Sequence, residues 1–241
     1  MFGNFNPDFC LNGVELYTVI YISITLAWLL LFGRGYHKIQ HGKNKGQSMR
    51  APVLTLIPPF LAGLLAGPLA GFISYSLEST FASSSGLANF WRQFLIVGPV
   101  EEITKLFAFL ATCLRRKDLQ NTSDGVRMAI TVALGFAGGE NLLYMHVYGV
   151  ENTLPRLFLG HAGHAGYSIF WGYAIAAVLV EGASFGLIPA LLVLAAMLHG
   201  AYNFFLDFSI PGVTFSVLLT IALFIAMRKL LHSEDKRAGH R

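Results

Sequence analysis

The sequence predicts an all-α polytopic membrane protein with about seven transmembrane helices, its N-terminus outside and its C-terminus in the cytoplasm. Three observations carry that prediction. Only 12% of the 241 residues are charged, half the ~25% typical of soluble domains, and mean hydropathy is +0.57. The apolar residues fall into runs of about 20, the length that crosses a hydrocarbon core as a helix. A helix is also the form in which a spanning segment satisfies its own backbone, whereas an open strand in lipid would not. Finally, Lys and Arg gather in short segments between the runs, so they report topology and not nucleic-acid binding.

In chain order, the first run covers 14–33. No Lys or Arg precedes it in the first 13 residues, so it lacks the basic leader of a cleavable signal and reads as a permanent anchor. The 34–50 segment is basic, with Arg34, Lys38, Lys43, Lys45 and Arg50. The second run, 51–77, contains Pro58, Pro59 and Pro68 and is expected to be kinked or partly re-entrant, because proline removes a helix hydrogen bond. The Ser-rich stretch 78–90 reads as an interfacial turn. The third run, 92–114, holds Glu101, Glu102 and Lys105 amid apolar residues. A second basic segment, 115–127, carries Arg115, Arg116, Lys117 and Arg127. The remaining runs are 126–148, 158–180, 184–206 and 212–231, and a basic tail follows. Fourteen of the 17 Lys and Arg residues fall on one side of this seven-span arrangement. Only Arg92 and Arg156 stand opposite, and the positive-inside rule makes the basic side cytoplasmic. Cys10 and Cys113 lie far apart and do not form a disulfide framework. The whole chain, 1–241, reads as a single integral membrane domain, with a motif core at about 92–206.

Charged and polar residues inside these runs point to function. Each carboxylate at bilayer depth costs about 2.5–3.5 kcal/mol on insertion scales, yet four successive runs carry such groups. Glu101 and Glu102 precede Lys105 by four and three residues, so both can reach its ammonium. The stretch GFAGGEN holds Glu140 and Asn141, with Gly135 and Gly139 as a small-xxx-small pair for close helix approach. RLFLGHAGHAG holds His161 and His164, and HGAYN places His199 and Asn203 on one helix face. Counted from the outer end of each run, Glu102, Glu140, His164 and His199 fall at a common depth of roughly 9–15 Å. A local ion pair explains Glu101, Glu102 and Lys105 alone, and a hydrogen-bonded core role suits each lone Glu or His, but a shared depth argues for one site. His146 and His161 lie nearer the outer interface and read as packing residues. His37, His41, His232 and His240 sit in basic segments.

A carboxylate out of water is suited to take and return a proton near neutral pH. Neutral imidazoles can hold a metal ion or orient a water. One Glu with two His matches the donors of a catalytic zinc site. Either route activates water for amide hydrolysis, with Asn203 donating to the oxyanion. HExxH is absent, and the GxSxG match at Gly182–Gly186, centred on Ser184, falls at the opposite turn.

These motifs resemble those of the PrsW family of intramembrane proteases, related to the CAAX-protease and bacteriocin-processing superfamily. The matching residues are Glu101, Glu102 and Lys105; Gly135, Phe136, Glu140 and Asn141; the stretch from Arg156 to His164; and His199 with Asn203. Glu140 stands where the CAAX branch usually has a histidine, which favours the PrsW branch. His164 is preferred to His161, since Arg156 before it and Gly172 after it keep the family's intervals. The resemblance implies an intramembrane endopeptidase of a bacterial or archaeal plasma membrane. Its substrate would be a membrane protein, anti-sigma-factor-like in relatives, and nucleic acid is not a partner. Glu101 or Glu102 would be the base, and Lys105, Asn141 and Arg156 would support the site. Glu140, His164 and His199 would bind water or zinc, a metal-free glutamate mechanism being the alternative. The rival class is a proton-coupled transporter or channel built on the same Glu, Lys and His residues, which needs a polar path through the whole bilayer. The inner halves of runs four to six are almost purely apolar.

Overall fold

The computed structural model describes residues 18–30, 52–78, 86–113, 119, 121–149, 156–208 and 210–239, with the side chains of 52, 53, 86, 148 and 233–239 left aside. Every regular element among them is helical. The order is α1 (Thr18–Leu30), α2 (Pro52–Glu78), α3 (Gly86–Trp91), a π-helical segment (Arg92–Val97), α4 (Gly98–Cys113), α5 (Thr122–Tyr148), α6 (Arg156–Glu181), α7 (Leu187–Leu206) and α8 (Ile210–Gly239). The expectations for Cys10, His37, His41 and most of the basic segments fall outside the described residues.

α2, α5, α6, α7 and α8 are each long and apolar enough to cross a membrane. α1 is a shorter apolar helix, and α3, the π segment and α4 form one continuous rod carrying Arg92, Glu101, Glu102 and Lys105. α5 and α6 are central, with 83% and 78% of their apolar windows buried, against 28–33% for α2, α7 and α8. α2, α7 and α8 accordingly turn large apolar side chains outward, among them Leu65, Phe72, Val193, Leu218 and Ile210. Lipid tails are as apolar as leucine, so such a face carries no hydrophobic penalty in a bilayer. The protein is an integral membrane protein.

Helix association without a hydrophobic drive depends on close packing, and glycine supplies it along the α2–α5 seam. Side chains at Gly63 and Gly139 would run into the carbonyls of Val132 and Leu64, and one at Gly67 would stand 2.6 Å from the Phe136 carbonyl oxygen. A second seam joins α4 to α7, where a side chain at Gly98 would meet the Ala196 carbonyl at 2.5 Å and one at Gly200 the Gln93 carbonyl at 2.8 Å. The first seam sets Glu140 against α2, and the second brings His199 to α4.

Three local expectations change. α2 continues through Pro58, Pro59 and Pro68 as one helix of 27 residues, so it is not re-entrant. Of the Ser-rich stretch, 86–90 is helical and extends the third run at its N-terminal end. α5 begins at Thr122, where the Asn121 side chain accepts from the Asp124 amide. Arg127 is therefore a buried residue of this helix and not part of the basic loop. The GxSxG stretch is a turn: Gly182 has φ +71° and the Ala183 amide bonds back to the Ala177 carbonyl, a helix-ending arrangement that needs glycine. Ser184 is exposed there.

Candidate active site

The π segment immediately precedes the acidic pair. Its last turn closes with the Gly98 amide donating to the Gln93 carbonyl, five residues back, ahead of Pro99, which has no N–H to give. Single π turns of this kind re-aim the residues that follow. α4 then presents Glu101, Glu102 and Lys105 on its buried face, at 6%, 0% and 0% exposure, which commits all three to the bundle interior.

Glu102 is saturated. Its Oε1 accepts from Lys105 Nζ at 2.7 Å and from His199 Nδ1 at 2.9 Å, and its Oε2 accepts from Trp171 Nε1 at 3.0 Å. Because a carboxylate only accepts, His199 carries its proton on Nδ1 and turns Nε2 towards the site. Lys105 also donates to His164 Nδ1 at 2.8 Å and lies over the Phe136 ring at 4.5 Å. His164 therefore holds its proton on Nε2, which stands 2.9 Å from Glu140 Oε2. Glu140 Oε1 accepts from Arg156 Nη2 at 2.7 Å, and Arg156 covers the Tyr144 ring at 4.0 Å.

Glu101 differs from both. Two cations serve three carboxylates here: Lys105 pairs with Glu102 and Arg156 with Glu140, while Glu101 has no Lys or Arg within ion-pair distance among the described residues. Its buried Oε2 accepts no hydrogen bond, which is true also of Glu140 Oε2, but Glu140 has Arg156 on its other oxygen. Glu101 Oε2 lies 3.4 Å from His199 Nε2 and 3.9 Å from His164 Nδ1. An acceptor oxygen thus faces the lone-pair nitrogen of His199. Such an opposition is relieved by a species that donates to both or coordinates both, a water or a cation.

The donors fit a metal in type and spacing. One ligand atom each from buried Glu101, His164 and His199 can be chosen so that all three lie within 4.8 Å of one another, and a carboxylate with two imidazoles suits zinc. Lys105 would have to release His164 Nδ1 for that nitrogen to coordinate. Glu140, expected among the ligands, is instead held by Arg156 and lies beside His164.

His161 belongs to a supporting chain. Thr25 donates to the Tyr21 carbonyl at 2.8 Å, so its oxygen accepts from His161 Nε2 at 2.9 Å. His161 Nδ1 lies 3.4 Å from Asn141 Nδ2, and Asn141 Oδ1 accepts from Arg156 Nε at 3.2 Å. The chain ties α1 to Arg156 and thereby to Glu140. Asn203, with Glu101, Glu140 and Arg156, lines a cavity of about 640 Å³ walled further by α2, the π segment and the C-terminal end of α5. His146 is outside the group and bonds the Leu142 carbonyl.

Sequence reasoning passed over Trp171, Tyr167 and Thr25. Tyr167 stacks on the His199 ring at 4.8 Å and 17°. Its signal was present, since His164, Tyr167 and Trp171 recur at the i, i+3, i+7 spacing of one helix face. On the side of Glu102 away from the cavity, Phe109, Met128, Trp171, Ile175 and Ala195 pack in one apolar cluster among the described residues, and the transporter reading is not favoured.

Residues 51–227 match the family model described as "PrsW family intramembrane metalloprotease". Among curated relatives, Protease PrsW of Oceanobacillus iheyensis is 31% identical over 190 residues, 76% of this chain and 85% of that protein. Protease PrsW of Bacillus subtilis is 30% identical over 164 residues, 67% of this chain and 74% of its own length. Protease PrsW of Shouchella clausii is 36% identical over 119 residues, 48% and 54% of the two chains. No solved structure matches. With most of its length matched and the buried Glu, Lys and His cluster assembled from the motif-bearing helices, the chain belongs to the PrsW family of intramembrane proteases.

Proposed function

We propose that this protein hydrolyses a peptide bond of a membrane-embedded or membrane-proximal protein, with Glu101 as the general base. One observation carries the assignment within the acidic pair. Glu102 has both oxygens engaged by three donors, whereas Glu101, which lines the cavity, keeps an unpaired oxygen. Glu101 takes a proton from water, and the hydroxide adds to the scissile carbonyl carbon. Asn203 and Arg156, in the cavity wall, donate to the oxyanion. The C–N bond then breaks as the proton passes from Glu101 to the leaving amine, yielding a carboxylate and a new N-terminus. Lys105 holds Glu102 and His164, Glu102 orients His199, and Asn141 with Arg156 holds Glu140. His199 Nε2 and His164 flank the water. A bound metal would be held by Glu101, His164 and His199 and would make that water more acidic.

The topology that accompanies this reading has seven spans, counting α1 and the α3–α4 rod. The N-terminus is outside, the C-terminus is cytoplasmic, and the whole chain forms one domain with its catalytic core at about 92–206. The cavity then opens towards the extracytoplasmic end, where Glu78 pairs with Arg92 at 2.8 Å, and an anti-sigma-factor-like protein is a fitting substrate. The test is release of a fragment from a candidate membrane substrate by purified protein, with elemental analysis and chelation in parallel. Full activity in Glu101→Ala and His199→Ala variants would sink the mechanism. Activity that survives complete metal removal assigns the metal-free route, and activity restored only by added zinc assigns the metal route.

A further inference from the structure

α2 carries glycines at 63, 67 and 71, one per turn along a single face. The first two are required by packing, since side chains there would press into the backbone of α5. Gly71 is not. A Cβ at this position would meet only Cδ2 of Leu143, at 3.3 Å, with no backbone of another helix within 4 Å. It has no positive φ to demand glycine either. Glycine inside a helix is disfavoured relative to alanine, so its presence needs another cause. Gly71 lines the same cavity as Glu101, whose lining includes the apolar side chains of Phe72, Leu143 and Val147 and the ring of Tyr75 beside the polar Ser74, Glu78 and Arg92. The missing side chain therefore becomes cavity space.

We propose that Gly71 is a specificity-determining residue, whose missing side chain leaves room for a bulky apolar side chain of the substrate beside the scissile bond. This rests on the peptidase reading. Gly67 abuts the Glu140 amide, where a Cβ would stand 2.8 Å away. Gly71 lies one turn further out, ~6 Å along the helix. That distance corresponds to about two residues of an extended chain. With the scissile bond seated beside Glu140, the subsite takes a residue within about two positions of the cleaved bond, on its outer side.

The experiment uses the full chain in detergent with synthetic transmembrane peptides of about 25 residues, varied to Ala, Leu or Phe along the outer half. Cut positions are read by mass spectrometry for wild type, Gly71→Ala and Gly71→Leu. Wild type is expected to cut with Leu or Phe within two residues of the bond. Gly71→Leu should lose those cuts by about tenfold or more while keeping cuts flanked by Ala. Gly71→Ala, which displaces only the Leu143 methyl, should fall between and serves where the larger variant folds poorly. An unchanged residue preference in both variants overturns this assignment alone. A wild type that cuts no peptide overturns the assignment together with the peptidase reading.

Discussion

Replacing each member of the acidic pair by glutamine separates a base from a positioning carboxylate. At Glu102 the change puts an amide where three donors converge, at 2.7, 2.9 and 3.0 Å. It removes the counter-charge of Lys105, which is itself 0% exposed. Breaking a buried pair by removing one partner costs about 3–5 kcal/mol. In a chain of this size each kcal/mol moves the unfolding midpoint by about 2–4 °C, so Glu102→Gln should unfold ~10 °C below wild type. At Glu101 the replaced oxygen has no hydrogen bond to lose, and the change removes a charge that no Lys or Arg balances. Stability should stay within about 1 kcal/mol while the rate of cleavage falls ~10²–10⁴-fold, the range for a lost acid–base group. Thermal unfolding in detergent, read beside fragment release under the same conditions, measures both. A Glu101→Gln protein that cleaves at the wild-type rate, or a Glu102→Gln protein of wild-type stability, refutes the division of roles.

Trp171→Phe keeps the ring packing against Phe109 but removes the donor to Glu102. It should lower stability by about 1.5–3 kcal/mol, measurable by unfolding in detergent, and an unchanged midpoint would show that the indole bond contributes nothing. His161→Ala cuts the link from Thr25 to Asn141 and should reduce cleavage without abolishing it, whereas His164→Ala should abolish it; equal losses in a side-by-side assay would contradict the supporting role of His161. Gly135→Leu drives a side chain into the Phe60 carbonyl across the α2–α5 seam. It should cost at least the ~1–3 kcal/mol of an overpacked core, seen as lost monodispersity on size exclusion, and normal behaviour would mean that the seam opens freely.

Much of the fold was legible before any coordinates, because a bilayer imposes simple rules. Run lengths and low charge predicted helices, and all seven runs contain one, although the third is extended at its N-terminal end by α3. The legible part of the site was the set Glu101, Glu102, Lys105, Glu140, His164 and His199. Those side chains were conspicuous because ionisable groups are costly in lipid, and that cost is a property of composition and depth alone. The prolines of α2 misled locally. In lipid a helix tolerates them because breaking off would expose still more unpaired backbone, so α2 continues as one helix through all three.

The sequence by itself thus determined which groups are too polar for their surroundings and must therefore meet. It could not say which of two adjacent glutamates is saturated and which is free, because that depends on where Trp171 and His199 arrive from other helices. Likewise, His161 and His164 differ by one turn, and only the packing of α1 against α6 gives Thr25 to the first and leaves the second beside Glu101. Periodicity reports the face a residue occupies on its own helix. The tertiary structure decides what stands opposite, because glycine seams set helix separations to within an ångström and hydrogen bonds answer to distances of that size.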